Sequence, residues 1–211
     1  MGTYCALHVK TMEKGSLVSE LELFLAAIHR GHVIHTTSAE TIGKLYGEEF
    51  LCSEKRPPTN FALIAEQPDW LTAQYNSFFR LDDMAAEISR RLGTVVILGT
   101  AQTCSSAYLL GIYESGRHLR TLEFADGSWL AQEGAPLAFE PDPLGENISE
   151  EGEEPYYIFD ADSVREYCEH FGLKLWTHAW MQMDNPKFTI IRMLPAKVPA
   201  SEHWNWKTGI Q

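Results

Sequence analysis

Cysteine is scarce in this chain and never paired at short range: Cys5, Cys52, Cys104 and Cys168 stand roughly fifty residues apart. None forms the C-x-x-C spacing of a structural zinc site or a thioredoxin-like motif, so free thiols are expected. Long apolar runs are missing too. No segment approaches the roughly 18 apolar residues of a membrane span, and the longest ones are strand-length and interrupted by Gly, Ser or Thr. The opening stretch, from Met1 through Cys5 to Val9, lacks the basic flank and apolar core of a signal peptide. A soluble protein in the cytoplasm, with no membrane partner, is the expectation.

Basic charge is the third shortage. Seventeen Lys and Arg face twenty-nine Asp and Glu, a formal net charge of -12. A phosphate backbone is repelled by such a field, and no local basic patch overrides it, so nucleic acid is not expected as a partner. The acidity is also unevenly placed. Glu140, Asp142, Glu146, Glu150, Glu151, Glu153 and Glu154 lie together without an intervening base, and the rest of the chain carries only -5. Pro141, Pro143, Gly145 and Gly152 in the same stretch favour irregular backbone over a long helix.

Nucleotide and zincin signatures are absent as well. The chain has no G-x-G-x-x-G, no G-x-x-x-x-G-K-[ST] and no H-E-x-x-H, which removes the motif-bearing classes that use them. No cofactor is expected. What remains is a composition of globular type, 45% hydrophobic and 22% charged over 211 residues, enough for one substantial domain or two small ones packed together.

Along the chain, Thr3 to Lys10 alternates as a strand, with Tyr4, Ala6 and His8 on one side and Cys5, Leu7 and Val9 on the other. A helix follows, expected to start near Ser16 as cap, to bury Leu17, Leu21, Phe24, Leu25 and Ile28, and to stop at Gly31. His32 to Thr37 reads as a strand, residues 39–46 as a short helix or loop, and Glu48 to Pro58 as a connector. Asn60 to Ala65 and Trp70 to Tyr75 form a hairpin pattern around Gln67-Pro68-Asp69. Asp82 and Asp83 open a second helix that ends at Gly93, and Val95 to Leu98 is a buried-strand pattern.

From Ala107 the pattern is a β meander, turning at Glu114-Ser115-Gly116 and at Asp126-Gly127. Structure resumes at Tyr156 to Phe159, with Asp160 or Asp162 capping a third helix that stops at Gly172. Lys174 to Trp180 and Phe188 to Met193 read as further strands. The result is an α+β fold, mainly an antiparallel sheet with about three principal helices. Two parts, from Thr3 and from Asn60, repeat the order strand, helix ending near Gly, strand, so similar α/β halves are expected. Residues 1–58 form an N-terminal strand-helix-strand part, 59–194 the main part with the meander, and 195–211 a tail, the whole being one unit.

The candidate chemistry is thin. His29, His32 and His35 are spaced by three, but across a helix-to-strand junction, where three imidazoles no longer share one helical face. They are the metal-ligating candidates, against an expectation of no metal. Cys104 and Ser105, in the polar turn Thr103 to Ser106, are the candidate nucleophiles, although the glycines of a nucleophile elbow are missing. Cys168 and His170 stand two apart on a helix and so face away from each other. Asp82-Asp83 and Asp160 with Asp162 precede helices, where capping explains carboxylates better than metal binding does. Tyr113 to Gly116, Arg120, Trp129, Gly134, Pro136 and Phe139-Glu140 make a loose pattern to which no activity attaches.

Partner binding has more material. Glu150, Glu151, Glu153 and Glu154 concentrate charge, while Trp204 and Trp206 in the tail either dock back or anchor a partner. The leading expectation is a noncatalytic protein-binding module, in its most specific form an immunity or antitoxin-type inhibitor whose acidic surface covers a basic site on another protein. The alternatives are a hydrolase or transferase with a dispersed active site, and a structural or regulatory subunit. Whether the chain is an enzyme stays open, leaning to no. Its oligomeric state is not readable from the residues.

Overall fold

The computed structural model describes residues 3–37, 51, 54–102, 105–142, 144, 146–148, 156–175 and 189–195. In chain order they form β1 (Thr3–Lys10), α1 (Lys14–Ile28), β2 (Gly31–Thr37), β3 (Asn60–Gln67), β4 (Trp70–Tyr75), α2 (Asp82–Leu92), β5 (Val95–Gln102), β6 (Ala107–Glu114), β7 (Arg117–Ala125), β8 (Ser128–Glu133), β9 (Glu146–Ile148), β10 (Tyr156–Ile158), α3 (Ala161–His170) and β11 (Thr189–Pro195). This is the α+β class with one large antiparallel sheet. Nine strands lie in the order β2-β11-β3-β4-β1-β5-β6-β7-β8, and β9 pairs with β10 in a separate small sheet. No described helix is long and apolar enough to cross a membrane.

Local chemistry accounts for most of these elements. In α2, Asp82 and Asp83 occupy the first turn and Arg90 and Arg91 the last, each sign matching its end of the helix dipole, and Gly93 closes the helix at φ +60°. Asp160 caps α3 by accepting from the amides of Asp162 and Ser163, and the Ser163 hydroxyl reciprocates at the Asp160 amide. Both meander hairpins turn through paired positive φ angles, Ser115 with Gly116 and Asp126 with Gly127, as their right-handed strand twist requires. The start of α1 differs from expectation. The helix begins at Lys14, and the Ser16 hydroxyl donates to the Glu13 carboxylate instead of capping an amide. Gly31 does not end α1, which stops at Ile28; it opens β2, where a Cβ would meet the carbonyl oxygen of Leu194 at 1.9 Å.

Strand alternation then divides the core into two layers. Cys5, Leu7 and Val9 of β1 face α1 and α2, where Leu17, Leu21, Leu25, Met84, Ala85 and Ile88 bury against them. Each such Leu or Ile contributes roughly 1.5–3 kcal/mol by leaving water. The opposite face of β5 to β7 carries Ile97, Leu110, Ile112, Leu122 and Phe124, and α3 covers it with Val164, Tyr167 and Cys168. The two strand-helix-strand units share the first face but differ in reach. α2 joins β4 to β5 across β1 alone, whereas α1 joins β1 to β2 across β4, β3 and β11.

In the α3 layer, Arg120 and Glu140 form a bidentate ion pair at 2.9 and 2.8 Å with side chains only 4% and 3% exposed. A further guanidinium nitrogen of Arg120 donates to the carbonyl of Gly134 at 3.0 Å. Glu140 therefore does not belong to the acidic surface in which the sequence groups it. Beside this pair, the Tyr167 hydroxyl is buried and has no hydrogen-bond partner among the described residues. Burial, and then the nearby Glu140 carboxylate, push its pKa up. Tyr167→Phe removes a desolvated group that forms no bond among the described residues, so stability in urea is expected to stay level or rise by up to about 1 kcal/mol. A loss of more than about 1 kcal/mol would show that the hydroxyl does find a partner.

Candidate functional site

Among the described residues β8 is the last strand on this side of the sheet, and its pairing with β7 is irregular. Ala131 stands opposite Glu123 and Trp129 opposite Phe124, which leaves Leu130 as the extra residue of a bulge. Trp129 packs on the α3 side, with ring centroids 5.1 Å from Phe124 and 5.0 Å from Phe159. Leu130 is 62% exposed. It forms one wall of a cleft of about 350 Å³, together with Phe78, Leu109, Phe124, Thr100, Gln102, Glu54, Arg80 and Glu123.

A charge network fixes the rim of this cleft. Arg80 donates to both oxygens of Asp82, at 2.8 and 2.9 Å, and to Glu123 at 2.9 Å. The Tyr113 hydroxyl adds a third donor to Asp82 at 2.8 Å. Burial alone raises the pKa of Asp82, but the bonds from Arg80 and Tyr113 outweigh it and the net shift is downward. The same contacts raise the pKa of Arg80, the bond to Asp82 first among them, and burial followed by the Asp82 bond raises that of Tyr113. Two carboxylates, Glu54 and Glu123, thus line a cleft whose described cation, Arg80, is already paired with Asp82 and Glu123. An apolar wall beside a fixed, net-negative rim suits a ligand that is itself apolar and cationic.

Two other polar features of the fold are already satisfied internally. On β1, the Tyr4 hydroxyl and Nε2 of His8 lie 2.9 Å apart, and Nδ1 of His8 lies 2.9 Å from the Thr72 hydroxyl across the β1–β4 pairing. Both ring nitrogens are satisfied in a fully buried imidazole, and burial lowers its pKa to about 3. His8 is thereby a neutral core histidine. A second cavity, about 470 Å³, lies at the start of α3 beside Asp160, Asp162 and Glu166. Asp160 is used as the helix cap and Asp162 pairs with Arg165 at 2.8 Å, so helix chemistry already occupies both aspartates.

None of the described residues singled out in the sequence lines this cleft. The Nε2 of His29 bonds the carbonyl of Pro58 at 2.8 Å. Nε2 of His35 meets Glu22 of α1 at 2.5 Å. His32 is an exposed residue of β2, three positions from His35 and hence on the opposite side of the strand. Among the described residues, no three His, Cys, Asp or Glu side chains are placed to hold a metal. Ser105 sits in the turn between β5 and β6, where its amide and hydroxyl both point at the Gln102 carbonyl, at 3.2 and 3.4 Å. Cys104 lies outside the described residues, as do Glu150, Glu151, Glu153, Glu154, Trp204 and Trp206. Cys168 is buried under the sheet with its thiol pKa raised by burial, while His170 stacks on Phe139 at 3.7 Å.

The cleft was not read from the sequence because its parts come from residue 54, the approach to α2, and β5 to β8. Its clearest signals in the sequence are Leu130, an apolar residue in a strand with polar neighbours, and Arg80, two residues before the acid that opens α2. Comparison of the chain with protein-family models, with curated proteins and with solved structures found no match to any of them.

Proposed function

We propose that the protein is a noncatalytic binding module that docks another protein through an acidic surface, an immunity or antitoxin-type inhibitor being the most specific form of that reading. The observation that carries it is Leu130 in β8, the last described strand on its side of the sheet, 62% exposed beside a cleft lined by Glu54 and Glu123. A leucine held in that position by a bulge loses apolar hydration when a partner covers it, and the surrounding charge selects which partner. The net charge of -12 extends the same selection to long range, since it speeds encounter with a basic surface and slows encounter with an acidic one.

The test is reconstitution. Cross-linking of the full chain in extract, followed by identification of the linked peptides, is expected to join the Ser128–Glu133 region to one recurring basic protein. That protein, purified separately, should rebind the chain with a defined stoichiometry and an affinity that falls as salt rises. For the inhibitor form, the partner's own activity should stop on addition of the chain. Absence of any purified protein that rebinds removes the reading.

A further inference from the structure

We infer that the cleft beside β8 receives a lysine or arginine side chain presented by the partner protein, with its alkyl stem against Leu130 and its cationic head between Glu54 and Glu123. This rests on the binding-module reading above and specifies what that surface recognises. Leu130, Leu109 and Phe78 supply an apolar wall for methylenes, and Glu54 and Glu123 supply the charge. Long basic side chains are the residues that combine both features, since they bury their stems along apolar surface and keep the charged head at a polar rim.

Arg80 explains why the cleft accepts a cation without collapsing on one. Its guanidinium is held at three points, two on Asp82 and one on Glu123, so it braces the rim in place and leaves the opposite charge in excess. A second copy of this chain is a poor occupant. Each copy carries -12, so two copies repel at long range. A basic segment of another protein has the complementary charge. The bulge at Leu130 also breaks the regular edge ladder, so recognition here runs through side chains more than through an added strand.

The probe is a synthetic hexapeptide alternating valine and arginine, titrated into the isotope-labelled full chain and followed by amide and side-chain NMR shifts, with a valine–glutamate hexapeptide as control. Saturable shifts are expected at Leu130, Leu109, Phe78 and the Arg80 side chain for the arginine peptide, and none for the glutamate peptide. Leu130→Ser and Glu54→Lys, both exposed positions, should keep the circular dichroism spectrum and each weaken binding by about tenfold. Shifts spread over the acidic surface at large, or unchanged affinity in Leu130→Ser, would overturn the inference. In the reconstitution above, a partner that binds wild type and both variants equally leaves the binding module standing and removes the cleft as its site. Loss of the partner with both variants supports the cleft.

Discussion

Arg120→Ala is expected to lower stability by about 3–5 kcal/mol in urea unfolding, the largest single effect foreseen in the described residues. The reason is what the substitution leaves behind. Glu140, 3% exposed, would keep its desolvation cost and lose both guanidinium bonds, while the carbonyl of Gly134 loses its donor. The double variant Arg120→Met with Glu140→Leu separates cost from benefit. Buried pairs replaced together by apolar residues are often neutral or stabilising, so this variant should recover most of the loss. If it is as unstable as Arg120→Ala, the pair acts chiefly by fixing the path of the chain after β8. Gly134 points to such a constraint as well. Its φ is +86° and a Cβ there would meet the Leu119 carbonyl oxygen at 2.2 Å, so the chain turns off β8 at a point that only glycine fits.

The parts of this fold that could be read from residues are those decided within a few positions. Asp82-Asp83 with Gly93, and Asp160 with Gly172, mark two helices because caps and dipoles act within one turn. Ser115-Gly116 and Asp126-Gly127 mark the meander because two residues with positive φ suffice to fix a hairpin. Strand order is decided by tertiary contact instead. Nothing in β11 announces that it inserts between β2 and β3, or in β1 that it lies between β4 and β5. The same limit hid the buried pair. Arg120, Gly134 and Glu140 appear in the sequence as a loose pattern of strand and turn residues, and only the course of the chain after β8 folds the three into one clamp. The histidine trio shows the reverse case. Spacing suggested a site, and the helix-to-strand junction sent His29 to Pro58 and His35 to Glu22.

Acidification should destabilise the protein earlier than carboxylate titration would, with His8 as the cause. In an unfolded chain a histidine titrates near pH 6.5, whereas burial in the fold lowers His8 to about 3. Between those values the unfolded state binds a proton that the folded state refuses. Stability therefore falls as pH drops through 6.5 toward 3, by up to about 1.4 kcal/mol per pH unit, and this contribution is fully present only above 6.5. Asp82 works in the same direction over a lower range. Its folded pKa is depressed, so its contribution holds above the ordinary carboxylate value and is lost as pH falls below it. The two are separated by window and by variant. His8→Gln keeps an amide in reach of Tyr4 and Thr72 and removes the titration. At pH 7 it should be less stable than wild type by about 1–3 kcal/mol through imperfect packing and hydrogen bonding. By pH 4.5 wild type should have lost on the order of 2–3 kcal/mol that the variant keeps, so the two unfolding curves converge or cross. Parallel loss in both proteins between pH 6.5 and 4.5 would mean that His8 takes up its proton inside the fold, with the Tyr4 and Thr72 hydroxyls accepting from a charged imidazole.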